Sequence, residues 1–118
     1  MEKTRDTDAT GRTDSDVPTT TIFNLLANHR RQLTLQYLTS TVGAVPLRDV
    51  ADQIALWEGE HTKERCERIC TSLVHVHLPK LVDAEIVRYD PNRETIELRE
   101  TADQLAPFLD LAAPADGL

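Results

Sequence analysis

Residues 66–98 constrain this chain more than any other stretch. They read as a long helix that passes through His77-Leu78-Pro79-Lys80-Leu81 and Val82-Asp83-Ala84-Glu85-Ile86-Val87 into two short alternating segments. Val87 and Tyr89 alternate with Arg88, and Ile96 and Leu98 alternate with Thr95, Glu97 and Arg99. Period-two alternation is the mark of a half-buried strand. Asp90-Pro91-Asn92-Arg93-Glu94 between them is turn chemistry, so the two strands form a hairpin.

Upstream, Asn28 is placed to cap a helix running through Leu38, and residues 22–26 form a preceding turn or short helix. Arg30 and Arg31 then fall in a first turn, where the helix macrodipole disfavours cations. Either their stems pack and their charges meet nearby acids, or they contact phosphate. Gly43 breaks the chain and Ala44-Val45 can form a short strand. Leu47, Val50, Ala51 and Ile54 recur at helical spacing and predict a second helix over residues 47–57, ended by Gly59.

The third helix is predicted over residues 62–84 with Thr62 as its cap. At 100° per residue, Cys66, Cys70, Leu73, Val74, His77, Leu81 and Ala84 share an inward arc. Arg68, Thr71, Ser72, His75 and Pro79 share the opposite arc, with Arg65 at its edge. Pro79 removes one backbone bond and should bend the helix, or the helix breaks near His75. Residues 101–112 carry Ala102, Leu105, Ala106, Phe108, Leu109 and Leu111, a short apolar helix whose regularity Pro107 limits.

The order helix, short strand, helix, helix, strand, strand, helix is that of an α+β, mainly α, winged helix-turn-helix. It has a three-helix core, a short strand plus a two-stranded wing, and a C-terminal helix. Residues 1–19, almost devoid of apolar side chains, read as a disordered acidic tail, residues 20–100 as the winged-helix domain, and residues 101–118 as the C-terminal helix and a short tail. In such a domain the polar side of the third helix faces a DNA groove and the wing reaches the backbone. The candidate DNA-binding residues are therefore Arg65, Arg68, Thr71, Ser72 and His75 on the helix, with Arg88 and Arg93 on the wing. His75 is equally at home on a solvated face, and Asp90 and Glu94 dilute the positive field around Arg93.

A chain of 118 residues, 40% hydrophobic, forms one domain with a modest core. No apolar run approaches the roughly 20 residues that span a bilayer, and the polar N-terminus offers no secretory signal, so a cytoplasmic location is expected. The net charge is −7, with Arg favoured over Lys, of which there are three. Thr and Ala are abundant and aromatics scarce. This make-up resembles proteins of halophilic archaea. In molar salt the Debye length falls to about 3 Å, and an acidic surface repels DNA only at short range. The acidity is also concentrated outside the presumed domain. Residues 1–19 carry a net −2 and residues 100–118 a net −4, leaving residues 20–99 at −1.

Cys66 and Cys70 are the only cysteines, one helical turn apart, and are no disulfide framework. With His77 on the same face and His61 preceding them, thiol and imidazole suit zinc, but the spacing matches no standard zinc pattern. The expectation is no metal and no cofactor: the thiols act as small hydrophobes and His77 holds a backbone carbonyl at the core edge. No enzyme is expected. There is no Gly-rich phosphate loop, no nucleophile with an evident base and no carboxylate pair in apolar surroundings.

Leu25-Leu26-Ala27-Asn28-His29-Arg30-Arg31-Gln32-Leu33 resembles the opening helix of arsenic-repressor-like and related archaeal winged-helix regulators. Leu47-Arg48-Asp49-Val50-Ala51-Asp52 is similar to their second helix. Residues 72–81, followed by Ala84-Glu85-Ile86-Val87, are similar to their recognition helix and its exit into the wing. Within that class the chain most resembles a group of small haloarchaeal winged-helix proteins described as a domain of unknown function. There a Trp-Glu pair ends the second helix, here Trp57-Glu58, and a His-Leu-Pro-Lys-Leu segment ends the third. The likeness covers residues 22–98. It departs at Glu85, where such proteins usually carry Gly to end the helix in a left-handed conformation, a substitution that costs on the order of 1 kcal/mol. The resemblance and the pattern together imply a transcription regulator that binds double-stranded DNA, with a winged-helix protein-interaction module as the alternative. A homodimer through the C-terminal helix is expected, because Leu105, Phe108, Leu109 and Leu111 have little core of their own to cover.

Overall fold

The computed structural model describes residues 16–111, with side chains through Asp110. Most of the predicted acidic tail, the side chain of Leu111 and residues 112–118 lie outside the described residues. The chain is mainly helical α+β with a small three-stranded antiparallel sheet.

The first helix, α1 (Thr19–Leu26), begins earlier than expected. Pro18 presets φ just ahead of it, and Ile22, Leu25 and Leu26 bury one side. The polar run Thr19-Thr20-Thr21 hid this first turn from hydrophobic periodicity. The second helix, α2 (His29–Thr39), is capped as expected: Asn28 Oδ1 accepts from the backbone N–H groups of Arg30 at 2.9 Å and Arg31 at 3.2 Å. Leu33, Thr34, Leu35 and Leu38 are all buried, so α2 is enclosed on more than one side.

Strand β1 (Val45–Pro46) leads directly into α3 (Leu47–Trp57), whose bounds match the predicted helix. Gly59 adopts φ +84 and ends it with paired backbone bonds: Gly59 N–H donates to Leu56 O at 3.1 Å and Glu60 N–H to Ala55 O at 3.1 Å. This left-handed closure favours Gly because a Cβ would be strained.

The predicted third helix is resolved into three adjoining parts. These are α4 (Lys63–Ser72), a π turn (Leu73–His77) and α5 (Leu78–Asp83). Thr62 Oγ1 caps α4 through the N–H of Arg65 at 3.1 Å. Proline at position 79 has no N–H, and its ring collides with the carbonyl four residues back in a regular helix. The wider π turn relieves this, and the N–H of Leu78 reaches back five residues to Leu73 O. The chain thus stays helical through residue 83, without the break near His75 that was the alternative to a bend. The π turn also shifts the inward face. Leu78, beyond the π turn, is buried although uniform 100° spacing left it off the inward arc; Ile69, before the turn, is also buried and was omitted from that arc.

Glu85 takes φ +63, closing α5 in the same way as Gly59 closes α3. Glu85 N–H donates to Val82 O and Ile86 N–H to Leu81 O, both at 2.9 Å. The hairpin follows as β2 (Val87–Asp90) and β3 (Thr95–Leu98), with Val87 opposite Leu98 and Tyr89 opposite Ile96. Strand β1 pairs on the other side of β3, with Val45 opposite Ile96, giving the order β1-β3-β2. Ile96 is therefore central to the sheet and fully buried.

The last segment is a 3₁₀ helix (Glu100–Leu105) followed by α6 (Ala106–Leu111), where a single helix was predicted. Pro107 is tolerated because it falls in the first turn of α6, where N–H groups lack helical partners anyway. Leu105 and Leu109 are buried, the ring of Phe108 meets that of Phe23 edge-on at 5.5 Å, and Gln36 Nε2 donates to Leu109 O at 2.8 Å. The segment thus packs back onto α1 and α2 of its own chain. Among the described residues no helix is long and apolar enough to cross a membrane.

Candidate nucleic-acid interface

One side of α4 is left free by the core. Cys66 and Ile69 on α4 and Leu73 on the π turn point inward, which leaves Arg68 and Thr71 on α4 and His75 on the π turn exposed. Ser72 and Arg65 are half-buried at the margins of this face. The Arg68 side chain is 70% exposed and its Nη2 lies 3.4 Å from Glu64 Oε2, one turn earlier. Thr71 donates its hydroxyl proton to Glu67 O. Arg65 is the least available of the set. Its Nη2 is 2.9 Å from Glu60 Oε1, while its Nε is buried without a hydrogen-bond partner.

The hairpin supplies a second group. Asp90 Oδ1 accepts from the N–H groups of Asn92 at 3.0 Å and Arg93 at 3.2 Å, which builds the turn and fixes the base of the Arg93 side chain. That side chain is 83% exposed, with Asp90 Oδ2 4.0 Å from its Nε. Arg88 is exposed on β2, with Nη1 3.8 Å from Glu97 Oε1 on the neighbouring strand. The structure thus gathers four predicted residues along α4, a fifth, His75, on the π turn that continues it, and two on the ribbon. It also sets a carboxylate beside each of the four arginines. Residues 62–99 hold seven basic and seven acidic side chains, so the face is locally patterned without a net positive charge.

The two arginines at the start of α2 serve the fold. Arg30 forms a two-pronged pair with Glu58, Nη2 lying 3.1 Å from Oε1 and 3.2 Å from Oε2, which ties α2 to the end of α3. Arg31 is buried and has a different role. Its Nε donates to Leu25 O at 2.8 Å and its Nη2 to Asn24 O at 3.1 Å, satisfying carbonyls in the last turn of α1, where a cation is favoured. Burial pulls the Arg31 pKa down from its ordinary value.

His77 requires a correction. Its neighbour is the Arg31 guanidinium, with Nη1 3.3 Å from His77 Nδ1, in place of the expected backbone carbonyl. A guanidinium only donates, so Nδ1 accepts and the ring proton resides on Nε2. Burial holds the His77 pKa below its ordinary value, and the charge of Arg31, followed by Arg30 and Lys80, pushes it further down.

The four residues considered for metal do not assemble as a set. His77 belongs to Arg31, while Cys66 meets His61 and a residue the spacing did not suggest, Asp52. The ligand atoms of Asp52, His61 and Cys66 lie within 4.8 Å of one another. Hydrogen bonding to the Asp52 carboxylate, followed by burial, raises the Cys66 pKa. The Cys70 thiol is raised mainly by burial, with Arg48 opposing. Asp52 carried no sequence signal for this role, because it sits on α3 and only the packing of α3 against α4 brings it to Cys66.

No curated protein and no solved structure matches this chain. The model of a family described as a domain of unknown function, DUF7344, matches residues 23–97, from α1 through β3, and the chain belongs to that family.

Proposed function

We propose that the protein is a winged-helix transcription regulator of halophilic archaeal type that binds double-stranded DNA sequence-specifically through α4 and the β2–β3 wing. The observation that carries this reading is the outward face of α4. Arg68 and Thr71 project from α4, and His75 from the π turn that continues it, while Cys66, Ile69 and Leu73 anchor the other side in the core. A helix held rigidly on one side and polar on the other suits a major groove. The carboxylates beside the arginines do not oppose it strongly. Exposed ion pairs contribute about 0–1 kcal/mol, so a phosphate or a guanine edge can displace Glu64 from Arg68 at small cost. A dipolar face with few unopposed cations implies that base contacts outweigh phosphate contacts, and hence a shallow salt dependence.

The test is binding of the full chain to duplex DNA across a range of salt concentrations. Arg68→Ala should weaken binding by about 1–3 kcal/mol and relax preference at one base pair. Arg93→Ala should weaken all sequences alike and reduce the salt slope by about one unit. A second reading, a winged helix that contacts another protein, is favoured by the acid set beside every candidate arginine. If neither substitution alters binding to any DNA while either one disrupts association with a protein, that reading replaces the first.

A further inference from the structure

The turn between α3 and α4 brings two partly exposed side chains, those of Asp52 and His61, up to the buried thiol of Cys66. Asp52 projects from α3, His61 from the connecting loop, and Cys66 from the start of α4. The left-handed turn at Gly59 and the Thr62 cap set the loop between them. His61 Nε2 lies 3.7 Å from Asp52 Oδ1, too long for a hydrogen bond between the two. It is instead the spacing of two neighbours around one ion. With zinc–ligand bonds of about 2.0–2.3 Å, tetrahedral donors sit about 3.3–3.8 Å apart. The widest separation in the set, no more than 4.8 Å, has to close by about 1 Å. His61 and Asp52 are partly exposed and can make that movement, whereas Cys66 is held by the core.

We propose that Asp52, His61 and Cys66 form a site for a divalent transition-metal ion of the zinc class, stapling α3 to the first turns of α4. The donor types select the ion. A thiolate and an imidazole favour zinc-like metals over magnesium or calcium, which take oxygen donors. Cys66 binds as thiolate, its proton passing to solvent, and with the Asp52 carboxylate it balances the two positive charges of the ion. In the metal-free chain the hydrogen bond to Asp52 and burial keep the Cys66 thiol protonated, with the charge of Arg48 opposing them, so the thiolate forms only as the ion binds. Three protein donors leave a fourth position facing solvent for water. Cys70 is one turn further along and stands outside the group of three. The proposal is independent of DNA binding, because it concerns the turn and not the outward face of α4.

The experiment is titration of the metal-free full chain with Co(II), followed by displacement with Zn(II), with thermal melting in parallel. One Co(II) per chain is expected, with a thiolate-to-cobalt charge-transfer band, loss of the band on adding Zn(II), and a higher melting temperature with either ion. Cys70→Ser should retain the band. His61→Ala and Asp52→Asn, both at partly exposed positions, should keep the metal-free melting temperature close to that of the parent and weaken Co(II) binding at least about 10-fold. Cys66→Ser should abolish the band. The proposal fails if the parent chain shows neither band nor melting shift. It fails equally if the band survives Cys66→Ser, or if His61→Ala and Asp52→Asn bind Co(II) as tightly as the parent.

Discussion

At the scale of single residues, His77 and Arg31 form the least conventional contact in the core. Two groups that can each carry positive charge face one another, and both are buried. The arrangement is stable only while the imidazole is neutral, which burial and the neighbouring guanidinium both enforce. The sign of the pH dependence follows. In the unfolded chain His77 takes a proton as pH falls below the ordinary histidine value of 6.5, while in the folded chain it does not until a lower pH. The stabilisation is therefore complete above 6.5 and is lost as pH falls from there through the folded pKa. Across that window the contribution should fall by up to about 1.4 kcal/mol per pH unit. His77→Gln keeps an acceptor for Arg31 and cannot titrate, so its stability by denaturant titration should decline less steeply on acidification. An unchanged slope would place the acid sensitivity elsewhere.

At the scale of elements, the two helix ends that bracket the candidate interface use one motif with different residues. Gly59 and Glu85 both take positive φ, and both are followed by the same pair of backbone bonds. At Glu85 the closure is maintained by what surrounds it. Leu81 and Ile86 are fully buried at the hydrophobic contact of the motif, and Thr101 donates its hydroxyl proton to Glu85 O. That contact uses only the backbone of Glu85, so Glu85→Gly should retain it and relieve the strained φ. A gain of roughly 0.5–1 kcal/mol is expected, with Gly59→Ala losing about 1 kcal/mol. Opposite signs in the two melting curves would support equivalence of the two closures; a loss at both positions would mean that the Glu85 side chain contributes something the backbone geometry does not require. The π turn belongs to this scale as well. Pro79 could be predicted to disturb the helix, but whether the helix bent, broke or widened depended on Leu73 and Leu78 both finding space in the core.

At the scale of the whole molecule, the C-terminal segment decides how much apolar surface remains. The dimer expectation rested on Leu105, Phe108, Leu109 and Leu111 having little of their own chain to cover, and the side chain of Leu111 lies outside the described residues. Leu105 and Leu109 are buried within the chain and Phe108 is half-buried against Phe23, which itself stays 57% exposed. Burial of Leu105 and Leu109 within the chain reduces the apolar surface that this helix could offer to a second copy. Leu109→Ala should then destabilise the single chain by about 2–5 kcal/mol, the range for emptying a buried leucine site. Its melting temperature, like the parent's, should not depend on protein concentration. A melting temperature that rises with concentration in the parent and loses that dependence in Leu109→Ala would restore the dimer.

What the sequence alone determined was local. Asn28 and Thr62 as caps, Gly59 as a stop, the bounds of α3, and the alternation of β2 and β3 around an Asx turn all follow from interactions within a few residues, and such signals are written in neighbouring letters. Membership of a family described as a domain of unknown function was legible in the same way, from contiguous motifs, and the family match covers residues 23–97. Tertiary structure decided every pairing between distant segments. Arg30 found Glu58, Arg31 found His77 and the end of α1, and Cys66 found Asp52 and His61. It also placed an acid beside each arginine of the candidate interface. Three of those acids are near in sequence, and Glu97 became Arg88's neighbour only through strand register. The physical reason is common to all of them. Caps and turns depend on backbone geometry over one helical turn, whereas a long side chain selects its partner from whatever the packing of separate elements brings within reach.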